Sequence, residues 1–348
     1  MTQHPIALVL GATGGIGGEM AHALLTRGWS VRALHRTSTK PALGIEWIQG
    51  DAMRRDDVIA AATGTSLIVH GVNPAGYRNW AGLAPPMLDN TIAAAKASGA
   101  RVFFPGTVYN FGPGTFPLVA EDAPRHPTTR KGAIRVQMED ALRQAANDGV
   151  KTLILRAGDF FGPTTTGNSW INAAMIKPGR PLTSITYPGQ PETGHAWAYL
   201  PDVAETAMRL IERAGDLPDF ATFHFGGHWF DRGIEIADLI RAAAGDPILP
   251  IRRFPWWLIH LGSPFVETFR EMREMTYLWK APLRLDNRRL IGFLGEEPHT
   301  PAIDAMHATL RGLGCLKAGH DQNRSAPQRL STSALLPAVP RGAPENSV

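Results

Sequence analysis

The chain is poor in cysteine, in sustained runs of charge and in long apolar stretches, and each shortage excludes a class of protein. One cysteine, Cys315, stands among 348 residues. No intramolecular disulfide can form, and a reducing, cytoplasmic setting is expected. No stretch reaches about 18 uninterrupted apolar residues, so no membrane span is expected. The formal net charge is +4, but no Lys/Arg run of the kind that grips a phosphate backbone accompanies it, so no nucleic-acid partner is expected. The first residues, MTQHPIALVL, enter a strand-like apolar run with neither a basic n-region nor a cleavage site, which argues against a signal peptide. What is present is an ordinary globular balance, with 44% hydrophobic and 19% charged residues. The length suffices for one large or two modest domains. The most apolar segment, FPWWLIHLGSPFV (254–266), is too short to span a membrane and reads as core or pocket lining rather than as a surface for lipid or a partner.

Short apolar runs alternate with helical patterns through the first half. Strands are predicted at 6–10, 29–34, 45–51, 66–72, 101–106 and 150–158, and helices at 19–28, 87–100 and 131–148. Strands separated by helices imply parallel βαβ units, and unbroken apolar runs fit strands buried on both faces. The expected fold is α/β, a Rossmann-type doubly wound parallel sheet with a smaller C-terminal substrate-binding domain. The expected division is a nucleotide-binding domain over 1–163 with shared elements to about 215, a substrate-side domain over 164–315 with helices at 202–214 and 233–245, and a disordered tail over 316–348.

The motif VLGATGGIGG (9–18) sits between the first strand and the first helix. Gly11 permits the tight turn, Gly14 lets the backbone approach a pyrophosphate, and Gly17 allows helix and strand to touch. Thr13, Gly15 and Ile16 share that turn. Past the second strand no carboxylate occurs between Ser30 and Ile45, where an NAD-selective site carries Asp or Glu for the ribose 2′-hydroxyl. Arg36, flanked by His35, Thr37 and Ser38, suits a 2′-phosphate instead, so NADP(H) is the expected cofactor. Asp51, with Ala52 beside it, is placed for the adenine amino group, and Gly71 and Asn73 in HGVNP (70–74) should pass under the dinucleotide.

GATGGIGG, IQGDAMRRDDV, SLIVHGV, RVFFPGTVYNFG, TLILRAGDFFGP and HAWAYLPDVAETA, in that order, make the chain similar to extended short-chain dehydrogenases/reductases of the NAD-dependent epimerase/dehydratase group. The resemblance implies a site of Ser/Thr, Tyr and a Lys four residues on. Thr107 matches the hydroxyl position. Counting eight residues back from Glu139 puts Lys131 in the Tyr slot and Arg135 in the Lys slot, and the position of Arg156 agrees. None of the five tyrosines, Tyr77, Tyr109, Tyr187, Tyr199 and Tyr277, is followed four residues later by Lys.

Arg135 can bond a nicotinamide ribose and hold a positive field, but it does not exchange protons. Lys131 is either a general acid/base with a lowered pKa or a solvated or phosphate-clamping cation. Tyr109 is the other candidate proton donor, against a buried phenol bonded to backbone. The resemblance places Asp159 and Phe160 at the nicotinamide pocket, while His195 is a pocket acid or a core histidine. Trp170, Trp197 and the 254–280 aromatics are candidate walls for a bulky small-molecule substrate. His224, His228 and His299 lack metal-ligand spacing, so no metal is expected. The function expected is an NADP(H)-dependent oxidoreductase moving hydride to or from a carbonyl/alcohol carbon. The alternative is a non-catalytic NADP(H)-binding sensor of the nitrogen-metabolite-repressor type. The resemblance also implies a homodimer packed through helices near 87–98 and 131–147.

Overall fold

Unbroken apolar runs such as IALVL and LIVH are stable as strands only where both faces of the sheet are covered, and this requirement organises the molecule. The structure is a computed structural model that describes residues 4–37, 44–74, 79–164 and 169–316; Ser38, Tyr77 and the expected tail from 317 lie outside the described residues. The chain begins β1 (Ile6–Leu10), α1 (Gly15–Thr26), β2 (Ser30–His35), β3 (Ile45–Gln49), α2 (Arg55–Ala61), β4 (Leu67–His70), α3 (Trp80–Ser98) and β5 (Arg101–Thr107). It continues with β6 (Leu118–Val119), α4 (Arg130–Asn147), β7 (Thr152–Ala157), β8 (Asp159–Phe161), β9 (Ile185–Tyr187), β10 (His195–Tyr199), α5 (Leu200–Glu212) and β11 (Phe220–His224). The last part holds β12 (His228–Phe230), α6 (Glu235–Ala244), β13 (Ile251–Arg253), α7 (Trp256–Gly262), α8 (Glu267–Glu274), β14 (Arg284–Leu285), α9 (Arg288–Leu294) and α10 (Ala302–Gly312).

Seven parallel strands form the main sheet in the order β11-β7-β5-β4-β1-β2-β3. The fold is thus a Rossmann-like α/β sheet. Met20 and Leu24 of α1 pack with Val203 and Ala207 of α5 over one face, while Leu88 of α3 and Met138 and Leu142 of α4 cover the other. The strand order reverses at β1, between β2 and β4, and a ligand crevice forms outside the carboxyl ends of strands at such a point. Residues after β7 add the three-stranded sheet β12-β10-β8 and a separate core around Trp197, Tyr199 and Ile240.

Three elements differ from the sequence reading. The first helix begins at Gly15 rather than at 19, because the glycine turn feeds straight into it. The third helix begins at Trp80 and carries Pro85 and Pro86 inside it, where a proline pair reads as a boundary because it removes two helical N–H donors. The edge strand β11, FATFH, went unread as a strand. The segment 254–266 is divided: Ile259 is buried, but Trp257, Leu261 and Phe265 are 67%, 69% and 88% exposed. Half of that segment is therefore surface and not lining.

A buried ion pair sets the position of α4. Arg156 on β7 donates from Nη2 to Glu139 Oε2 at 2.6 Å and from Nε to Oε1 at 3.0 Å, with both side chains nearly inaccessible. His224 at the end of β11 completes the group. Its Nδ1 lies 3.0 Å from the Val119 carbonyl and its Nε2 3.1 Å from Arg156 Nη1. These partners require Nδ1–H as donor and Nε2 as acceptor, the neutral tautomer. Burial, reinforced by Arg156, lowers the His224 pKa to about 3. His70 at the end of β4 is also buried, with Nδ1 2.8 Å from Thr91 Oγ1, and burial followed by the Arg135 charge lowers its pKa to about 3.

Two outcomes are expected. Glu139→Ala strands the Arg156 cation in the core and should lower unfolding free energy by about 3–5 kcal/mol in urea titrations. His70 and His224 bind protons below pH 6.5 when unfolded and only near pH 3 when folded, so the unfolded chain holds more protons between those values. Stability should therefore be complete above pH 6.5 and fall as pH drops toward 3, with His70→Gln giving a shallower slope in thermal melts at stepped pH.

Candidate active site

The phosphate end of the crevice is built from backbone. Gly11 has φ +85° and closes the β1–α1 turn, its carbonyl accepting from Gly14 N–H at 2.9 Å. A Cβ on Gly11 would stand 2.6 Å from the Gly71 carbonyl oxygen, and one on Gly17 would strike the Gly11 carbonyl. These contacts bring the ends of β1 and β4 and the start of α1 within backbone distance. Gly14 is the N-cap of α1 and supplies no side-chain cap, so the first N–H groups, from Gly15 and Ile16 onward, are left for an anion. Thr13 is exposed on the same turn. An uncapped helix start with glycine-only packing behind it fits a dinucleotide pyrophosphate.

The flanking residues divide between open and engaged. Arg36 is exposed after β2 and makes no hydrogen bond or ion pair among the described residues. His35 Nδ1 lies 2.7 Å from the Thr37 carbonyl, and its ring meets Trp47 edge-on. Asp51 turns its Oδ1 inward to accept Met53 N–H at 2.9 Å, and the Ala52 carbonyl accepts from Asn90 Nδ2. Asn73 Oδ1 accepts the Trp80 indole N–H at 2.6 Å. Gly71 N–H donates to the Leu10 carbonyl, extending the β1–β4 pairing by one residue.

At the reaction end, Thr107 closes β5 and its Oγ1 accepts the Tyr109 backbone N–H at 3.2 Å. Tyr109 is half-buried against Val108, Met275 and Leu278. The first turn of α4 is held by Thr129, whose Oγ1 accepts Gly132 N–H at 3.0 Å. Arg135 lies with its guanidinium carbon 5.2 Å from the ring centres of both Trp80 and Phe104, and its Nη1 reaches the Pro105 carbonyl at 3.4 Å. Lys131 is buried. Its Nζ donates to the Glu271 carbonyl at 2.6 Å and stands 2.9 Å from Glu271 Oε2. Burial lowers the Lys131 pKa, and Glu271 opposes that shift.

Asp159 and His195, single candidates in the sequence, are a pair in the structure: Asp159 Oδ2 lies 2.8 Å from His195 Nε2. The register of β8 against β10 sets Asp159 opposite Trp197 and Phe160 opposite Ala198. The His195 ring stacks on Trp279 at 4.2 Å and 6°. Val108, Gly158, Asp159, His195 and Leu278 line a small cavity here. The structure therefore brings Val108, Asp159 and His195 to one hollow, with Thr107 and Tyr109 flanking Val108 in the chain, while the Lys131 amine turns toward α8. Sequence reasoning missed Glu271 and took Trp279 only as one of the 254–280 aromatics. FREMREM reads as a solvated helix, and no local pattern reports a contact to a residue 140 positions away.

The NAD dependent epimerase/dehydratase family matches residues 7–223. A curated 3-diazoavenalumate denitrifying reductase from a Streptomyces species is 28% identical over 173 residues, 45% of this chain and 57% of that protein, so the chain spans a little over half of that relative's length. The UDP-glucose 4-epimerase of Thermotoga maritima, solved with UDP-glucose, is 17% identical with a TM-score of 0.69 over 88% of this chain and 98% of its own. The UDP-glucose 4-epimerase of Bifidobacterium longum, solved with NAD+ and UDP, is 16% identical with a TM-score of 0.69 over 88% and 97%. These two show a shared fold. With well over half of its residues inside the family match, the chain belongs to the NAD dependent epimerase/dehydratase family.

Proposed function

We propose that the chain is an NADP(H)-dependent oxidoreductase of the extended short-chain type, acting on a carbonyl or alcohol carbon with proton-transfer groups other than the usual Tyr-x-x-x-Lys pair. The observation that carries the reading is the uncapped start of α1 behind the Gly11, Gly17 and Gly71 contacts, together with an exposed Arg36 where a carboxylate would select NAD. Gly11, Gly14, Gly15 and Ile16 would hold the pyrophosphate, Arg36 a 2′-phosphate, and Asn73 and Arg135 the nicotinamide side. Bound there, the cofactor supplies or accepts a hydride.

The chain's own part is to bind and orient the substrate oxygen. Thr107 Oγ1 already accepts a backbone N–H, which leaves its O–H to donate to that oxygen. Arg135 keeps a positive field at the end of β5 without titrating. Lys131, in the slot of the family tyrosine, holds α8 through Glu271 and acts here as a positioning residue. Val108, Leu278 and Leu283 at the cavity, with the aromatic stack on Trp279, favour a largely apolar substrate. The likeness to a protein named a denitrifying reductase supports the reductive direction.

Two measurements test this. Arg36→Ala should weaken NADPH binding roughly 10- to 100-fold, the worth of a charge-assisted hydrogen bond, while leaving NADH binding unchanged in fluorescence titrations. Equal loss for both cofactors would remove Arg36 from the 2′-phosphate. Thr107→Ala should lower kcat/KM for carbonyl reduction by about tenfold or more with unchanged NADPH affinity. Tight NADPH binding with no turnover across an aldehyde and ketone panel would favour a redox sensor instead.

A further inference from the structure

The 254–280 segment contributes an apolar wall and, within it, one phenol. Tyr277 lies in the 3-10 turn Met275–Trp279 after α8, its ring stacked on Phe116 with centroids 6.4 Å apart and planes 14° apart. The Tyr277 hydroxyl oxygen is buried and meets no hydrogen-bond partner among the described residues. Leaving a buried O–H unpaired is costly, and such a group is explained when a ligand supplies the acceptor.

Its surroundings are those of the candidate site. The ring packs in the cluster of Val108, Met275 and Leu278, which also receives Tyr109, so it lies on the Thr107 side of the crevice. Leu278, the next residue, lines the cavity with Val108, Asp159 and His195. Two residues on, Trp279 carries the stacked His195 ring. Burial, and then the Asp159 charge, push the phenol above its ordinary value. The hydroxyl therefore stays protonated at neutral pH.

We propose that Tyr277 is the catalytic proton donor of this site, giving its hydroxyl proton to the substrate oxygen that Thr107 also binds. The assignment rests on the hydride-transfer reading above. During reduction the substrate carbon gains a hydride from the reduced nicotinamide cofactor and the C=O π bond opens onto oxygen. That oxygen forms its O–H bond with the proton from Tyr277 Oη, whose bonding pair remains on the tyrosinate. Beside Asp159 a tyrosinate is disfavoured, and it recovers a proton from water as the alcohol leaves. The raised pKa keeps the phenol in the form that carries the proton, and it is still a stronger acid than the alcohol that forms, so the transfer to an alkoxide-like oxygen runs downhill. The donor thus enters from the segment after α8, and the α4 position where the family keeps its phenol holds the Lys131–Glu271 pair.

The test compares wild type with Tyr277→Phe, both checked for equal NADPH affinity and thermal stability. With NADPH and aromatic aldehydes or ketones, Tyr277→Phe should lower kcat roughly 100-fold or more; a change within about threefold overturns the assignment while leaving a reductase. A second readout needs no turnover. In the NADP+ complex, the carbonyl stretch of bound 4-(dimethylamino)benzaldehyde should lie lower in wild type than in Tyr277→Phe by infrared difference spectroscopy. Identical stretches in the two proteins overturn the contact. Absence of any carbonyl reduction by wild type sinks the hydride-transfer reading, and the infrared comparison still decides Tyr277.

Discussion

Arg156 and Glu139 meet through two parallel N–H···O contacts between β7 and α4, and neither side chain is accessible to water. Replacing such a pair with apolar residues is often neutral, whereas removing one partner is costly, so its main effect is on geometry and not on net stability. The fork fixes the rotation of α4 about its axis. Arg135 and Lys131, four and eight residues toward the N-terminus, lie one and two turns along nearly the same face. One therefore comes to rest over Phe104 in the middle of β5 and the other against α8. The neutral His224, bridging Arg156 to Val119, ties the same group to β6 and β11.

Much of this was legible in the residues. IALVL, LIVH and RVFFPG read as buried parallel strands because they lack alternation. GATGGIGG read as a phosphate turn because its glycines fall where a Cβ would collide with backbone. Glu139 and Arg156, from which the resemblance counts out α4, are ion-paired in the structure. What could not be read are the contacts of long sequence separation. FATFH is too short and too plain to announce an edge strand, and Pro85–Pro86 masks the first turns of α3. The Asp159–His195 pair depends on the register of β8 against β10, which no local spacing encodes.

Lys131 at the start of α4 and the segment around α8 belong together. Buried as it is, Lys131 would be a desolvated cation unless a carboxylate faced it, and Glu271 faces it. Arg130 shares that carboxylate at 2.6 Å. The same helix leads into the turn holding Tyr277, Leu278 and Trp279, which forms a wall of the cavity. Ion pairing on one side of α8 thus orders the aromatic wall on the other, while Trp257, Leu261 and Phe265 stay at the surface.

The strands and helices of the nucleotide half are not contiguous in the chain. β11 pairs with β7 along Thr152–Arg156, and α5 covers the face that α1 alone leaves open, clipped by Arg27 at 2.5 Å from Glu205 and 2.7 Å from Glu212. A fragment ending near residue 163 would expose β7 as a raw edge and one face of the sheet as bare hydrocarbon, a template for aggregation. The cofactor half is therefore not a cassette: any graft, chimera or gene fusion that borrows it must carry 200–224 along, or it borrows an insoluble piece.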